Sequence, residues 1–130
     1  MTQYTLSLKA LMLAAALVLP SMAFAAEPAM MKDGVMVDHK GMTLYTFDKD
    51  TGGKSVCTGE CAKNWPPLEA KAGDKAEGKW SIVNRDDGTM QWAYMGKPLY
   101  YYKDDKAAGE MKGDKKKDVW HVITNSGPKM

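Results

Sequence analysis

Cysteine and histidine are scarce in this chain of 130 residues, two of each, and the scarcity removes several kinds of site at once. Covalent haem attachment needs Cys-x-x-Cys-His. Here three residues separate Cys57 from Cys61, and Ala62 follows the second cysteine. A thioredoxin-like centre wants Cys-x-x-Cys at a helix start near a βαβ pattern, and neither is present. A structural zinc site built on the pair would have to recruit carboxylates or the distant His39 and His121. Charge of one sign is also lacking. Lys and Arg total 18 against 16 Asp and Glu, so no field draws in nucleic acid or an anionic membrane. No phosphate loop and no nucleophile–base set is visible, and no cofactor is expected.

Long apolar runs are missing, with one exception at the start. The segment "ALMLAAALVLP" follows Lys9 and precedes "AFA" before Ala26, the layout of a signal-peptide h-region and its cleavage site. Broken by Pro20, it falls short of the roughly 20 apolar residues of a membrane span. Residues 1–25 are therefore read as a signal peptide and 26–130 as a single secreted domain, periplasmic or released. No cysteine stands at the cleavage site, so neither a lipid anchor nor a membrane span is expected. An exported chain with two cysteines is expected to join them. On a regular helix Cβ atoms one turn apart sit about 5–6 Å from each other, too far for a disulfide. A Cys57–Cys61 bond therefore implies a loop tightened around Gly59. Thiol exchange by the pair is the alternative.

What is present in quantity is repetition. At an offset of 55, "GMTLYTFDKD" (41–50) overlies "GKPLYYYKDD" (96–105), and Trp65 falls on Trp120. Duplication of one supersecondary unit follows. The units span about 34–68 and 79–123, joined by a polar linker at about 69–78. Both are rich in β-branched and aromatic residues around turn signals. "GVMVD" and "MTLYTFD" flank "HKG", and "TMQWAYM" and "PLYYYKD" flank Gly96. "KWSIVNR" before "DDG" adds a strand to the second hairpin. "WPPL" and "VWHVI" close the two units, the first as an edge or strap because proline cannot donate to a ladder. The expected fold is all-β, a small antiparallel sheet domain of two related hairpin units with loop-rich connections. Alternation puts Tyr45 and Phe47 on one side of their strand, Tyr100 and Tyr102 on the matching side of theirs, and makes them core together with Trp65 and Trp120.

Those residues carry a resemblance. Tyr45, Phe47 and Asp50, then Tyr100, Tyr102 and Asp105, are similar to the Tyr-x-(Phe/Trp/Tyr)-x-x-Asp motif of secreted bacterial repeats described as predicted lipoproteins. "CTGECAKNWPPL" resembles the same family's Cys-x-Gly-x-Cys-Ala segment before Trp-Pro-Pro-Leu. The resemblance implies a compartment and a fold, and no activity. Asp50 and Asp105 end strands, where a carboxylate accepts from nearby backbone N–H groups; no catalytic pair is named. The motif residues Tyr45, Phe47, Asp50, Trp65, Tyr100, Tyr102, Asp105 and Trp120 are the binding candidates. The run "KKK" at 115–117 is read as a solvated loop. Met30, Met31, Met36 and Met42 with His39 are soft donors suited to copper, without a tight Met-x-x-Met array. The functional expectation is a non-enzymatic binding or interaction module of the cell envelope, whose partner is an envelope protein or a small ligand. The alternative is a periplasmic redox or copper-handling protein that uses Cys57 and Cys61 or the Met and His donors.

Overall fold

The computed structural model describes residues 27–129; the segment assigned to the signal peptide lies outside the described residues. Seven short strands are β1 (Met30–Lys32), β2 (Val35–Val37), β3 (Tyr45–Phe47), β4 (Trp80–Asn84), β5 (Met90–Tyr94), β6 (Lys97–Pro98) and β7 (Trp120–Val122). Among the described residues one α-helical turn, α1 (Glu60–Asn64), and a short 3-10 turn (Lys116–Asp118) interrupt them. The strands form three antiparallel sheets, β1-β2, β3-β7 and β4-β5-β6. The all-β expectation from two hairpin units holds.

Turn chemistry sets the hairpins. Lys32 pairs with Val35 across Asp33-Gly34, and Tyr94 pairs with Lys97 across Met95-Gly96. Both residues of each turn have positive φ, which a two-residue hairpin of the right twist demands and glycine supplies freely. The first of these hairpins was not anticipated. Met30 and Met31, weighed above as metal ligands, instead form strand β1, because Asp-Gly at 33–34 is itself a hairpin signal. The "DDG" turn behaves as expected: β4 pairs with β5 over five residues, Trp80↔Tyr94 to Asn84↔Met90.

One topological expectation is corrected. The closing segments do not close their own units. β7, from the second copy, pairs with β3 of the first, Tyr45↔Val122 to Phe47↔Trp120. In the mirror relation Pro67, from the first copy, bridges Tyr100 of the second. The Met36 N–H donates to the Ile123 carbonyl at 2.9 Å, and the Trp92 N–H donates to the Leu68 carbonyl at 2.9 Å. At the centre Tyr45 and Tyr100 exchange backbone hydrogen bonds of 2.8 and 2.9 Å. Exchanging the copies maps this contact set onto itself, as an approximate two-fold axis between Tyr45 and Tyr100 does. The linker has no helix; Asp74 and Lys71 close a turn in it.

Because side chains alternate along a strand, neighbouring residues feed two cores. Leu44, Leu99, Leu68 and Ile123 join Trp80 and Trp92 in an aliphatic and indole cluster. Tyr45, Tyr100, Phe47, Tyr102, Trp65 and Trp120 form an aromatic one with Cys57. The first cluster holds both members of Leu44/Leu99 and Leu68/Ile123, and the second both members of Tyr45/Tyr100, Phe47/Tyr102 and Trp65/Trp120, so neither copy owns a core. Fragments cut within the linker are therefore expected to lack near-ultraviolet circular dichroism separately and to regain it on mixing. A native-like signal from either fragment alone, as a monomer by sedimentation, contradicts the crossed topology.

Candidate functional site

The motif residues meet across the two copies. Tyr45 donates its hydroxyl to Asp105 Oδ2 at 2.5 Å, and Tyr100 donates to Asp50 Oδ2 at 2.7 Å. Each carboxylate uses its other oxygen as a cap for the loop that follows it: Asp50 Oδ1 accepts from the Val56 N–H, and Asp105 Oδ1 from the Lys112 N–H, both at 2.8 Å. All four side chains are buried, Tyr45 and Tyr100 at 0% exposure. Buried polar groups persist only when satisfied, and here each satisfies a partner from the other repeat. Burial, reinforced by the Asp105 hydrogen bond, raises the Tyr45 pKa, and burial raises that of Tyr100. Burial also raises the Asp50 pKa, against the hydrogen bonds that favour its charged form. The expectation that these aspartates accept from loop N–H groups holds for one oxygen of each.

Beside this network the aromatic rings form a four-membered stack. Phe47 lies on Trp120 at 4.1 Å, Trp120 on Trp65 at 3.7 Å, and Trp65 on Tyr102 at 4.3 Å between centroids. Tyr45 and Tyr100 meet the two indoles edge-on, at 5.4 and 5.3 Å. Such pairs each contribute about 0.5–1.5 kcal/mol beyond area burial. The stack alternates between copies. Phe47 of the first rests on the second's tryptophan, and Tyr102 of the second on the first's.

The loops leading to the tryptophans differ. In the first copy Cys57 and Cys61 form the disulfide, with Cα atoms 5.2 Å apart. The segment is not a plain loop: Gly59, at φ 59°, leads into α1, whose second residue is Cys61. The chain therefore does offer a helix start beside the cysteines, one turn long. Sequence reasoning passed over Arg85, the only arginine of the chain. Its buried guanidinium donates to Ser55 Oγ at 2.8 Å, Gln91 Oε1 at 2.9 Å and the Cys57 carbonyl at 2.8 Å. Ser55 Oγ in turn lies 2.7 Å from the Tyr100 hydroxyl. In the second copy a glycine does this work: the Gly113 N–H donates to the Tyr45 hydroxyl at 3.1 Å. A Cβ there would come within 2.7 Å of the Trp65 ring. The compositional rarity of a lone arginine was the available signal.

Between the two loops a cleft of about 390 Å³ opens beside the aromatic stack. Phe47, Trp65, Tyr102, Trp120 and Val119 supply apolar lining, with Cys61 and Asn64 beside them. Four lysines complete it, Lys49, Lys103, Lys116 and Lys117, and no carboxylate does. Lys116 Nζ stands 5.6 Å from the Tyr102 ring centroid. The "KKK" run is exposed, as a solvated loop would be, but its backbone is locked. Lys115, Lys117 and Asp118 all have positive φ, between 53° and 67°. Left-handed backbone costs a non-glycine residue about 1–2 kcal/mol, and strain of this kind gathers at functional sites. Hydrogen bonds hold it, among them Lys115 N–H to the Trp120 carbonyl at 2.6 Å.

Among the metal candidates Met31 faces Met36 across β1 and β2, and each histidine has a partner of its own. His39 Nε2 lies 2.6 Å from the Glu27 carbonyl, and His121 Nε2 lies 2.8 Å from Asp48 Oδ2. Among the described residues no group of three His, Cys, Asp or Glu side chains is placed to hold a metal ion, and no helix is long and apolar enough to cross a membrane.

A family model matches both copies, residues 29–69 and 81–124, more than half of the chain. The chain belongs to the Lipoprotein_15 family, described as a secreted repeat of unknown function. No curated protein and no solved structure matches it. The first match begins ahead of the repeat start read at about 34, so it takes in β1. In this repeat family member the motif residues are the joint between the repeats, and all eight candidates are buried.

Two outcomes follow. Tyrosines whose folded pKa is raised contribute stability in full below their unfolded value near 10, and that stability is lost as pH climbs above it. Tyr101, half-buried and donating to Asp38 Oδ2, has its pKa raised in the same direction, by burial first and then by that hydrogen bond. Alkaline titration followed by phenolate absorbance should therefore show these three ionising cooperatively with unfolding; gradual ionisation in a still-folded protein contradicts it. The Cys57→Ser/Cys61→Ser double variant should lose about 2 kcal/mol of stability, read from urea unfolding. An unchanged midpoint removes the staple role.

Proposed function

We propose that this secreted repeat protein is a non-enzymatic binding module of the cell envelope and that the lysine-rimmed cleft is where its ligand sits. The observation that carries the reading is that the cleft is built jointly. One wall comes from the disulfide loop of the first copy and the other from the locked lysine loop of the second, above a stack shared by both. Its volume lies within the range of small-ligand sites. The motif tyrosines and aspartates are engaged with each other inside the core. That leaves them holding the site rather than reacting in it.

Export to the periplasm or beyond belongs to the same reading, and the disulfide between Cys57 and Cys61 suits such a compartment. A redox role for the pair has less support. Cys57 is at 0% exposure and Arg85 holds its carbonyl, so only Cys61, half-buried in the cleft lining, is open to an exchanging partner.

Trp65 and Trp120 line this cleft and Trp80 and Trp92 line another, so the four indole signals in a nitrogen–proton correlation spectrum report on the two separately. Screening the oxidised mature protein against a mixed fragment library should move Trp65 and Trp120, with Trp80 and Trp92 unmoved. Shifts confined to Trp80 and Trp92, or none, exclude this cleft as the site.

A further inference from the structure

We infer, building on the cleft as ligand site, that its ligand is a small amphipathic anion: a flat apolar ring carrying a carboxylate, sulfonate or phosphate group. The net charge of the chain is only +2, yet charge is sorted by place. Carboxylates stand in two other clefts, Asp33 in one and Glu27, Asp74 and Glu77 in the other. The cleft over the stack has lysines alone.

Among the described residues Lys103 pairs with Asp104 at 3.1 Å, whereas Lys49, Lys116 and Lys117 enter no ion pair. Ammonium groups gathered without counter-charge repel one another, and an anion between them converts repulsion into attraction. The first repeat contributes one lysine, Lys49, just after its strand, and the second contributes three, Lys103 in the corresponding stretch and Lys116 and Lys117 on the locked loop. Holding Lys117 in left-handed backbone works against intrinsic preference. A loop kept in that state beside a cleft fits a presented charge better than a solvated run.

The rest of the lining selects the body of the ligand. Trp65 and Trp120 line the cleft with the small part of each ring that the stack leaves open, the residues being 6% and 3% exposed. The apolar lining favours a ring, and about 390 Å³ admits a small molecule rather than a polymer.

The test uses 8-anilinonaphthalene-1-sulfonate as the anionic probe and N-phenyl-1-naphthylamine as its neutral counterpart, on the oxidised mature protein. The sulfonate should bind saturably, more weakly as salt rises, and shift the Trp65 and Trp120 indoles. A Lys116→Ala/Lys117→Gly variant should weaken it by about 5- to 10-fold, with the thermal midpoint kept, because glycine accepts the left-handed backbone. Lys49→Glu, on the other repeat, should weaken it as well. Equal binding of the neutral probe, or sulfonate binding indifferent to these lysines, overturns the anion while leaving the cleft as a site. If neither probe moves Trp65 or Trp120, both readings fall.

Discussion

Two hydrogen bonds between tyrosine and aspartate, each crossing from one repeat to the other, are the constraint on which the rest of this structure depends. A phenol and a carboxylate taken from water need partners, since an unsatisfied buried polar group costs about 1–3 kcal/mol. Neither repeat supplies both partners in reach of each other. Tyr45 finds Asp105 and Tyr100 finds Asp50, so the repeats can bury their motifs only by interlocking. The strand crossover follows from the same geometry. β7 lies on β3, and Pro67 on Tyr100, because the tyrosines meet back to back at the axis.

A symmetric centre supports an asymmetric rim. The second oxygen of each aspartate anchors the loop behind it, and from those equivalent anchors the loops diverge. The first is fastened by a disulfide and by Arg85, the single arginine, which reaches Ser55, Gln91 and the Cys57 carbonyl. The second is fastened by the close approach of Gly113 to Trp65 and by hydrogen bonds along a left-handed lysine segment. Different fastenings deliver the two tryptophans to one stack while giving the cleft two unlike walls. Function in a duplicated fold has room to arise where the copies stop matching.

Much of the fold was legible. The offset of 55 exposed the duplication, the turn dipeptides set the hairpins, and alternation assigned Tyr45, Phe47, Tyr100 and Tyr102 to the core, where all four are buried. The misses have physical causes. β1 was passed over although Asp33-Gly34 signals a hairpin, and α1 is too short to show a helical period. The lysine run is exposed, as its charge pattern indicates, but its left-handed backbone is invisible in that pattern. Arg85 lies in a turn-rich stretch, and its partners at 55, 57 and 91 converge only once β4 and β5 pair.

By itself the sequence determined what local chemistry determines: extended segments, their faces, the turns between them, the pairing of two cysteines four positions apart, and the residues copied twice. Only the tertiary structure decided which copy each segment completes. Within-copy and between-copy pairings present the same hydrophobic pattern and the same donors, because duplicated strands are interchangeable in sequence. Their difference lies in whether the tyrosine of one repeat can reach the aspartate of the other. The same choice places Lys49 and Lys103 beside Lys116 and Lys117, positions spread over 69 residues of chain, and so decides that there is a cleft at all.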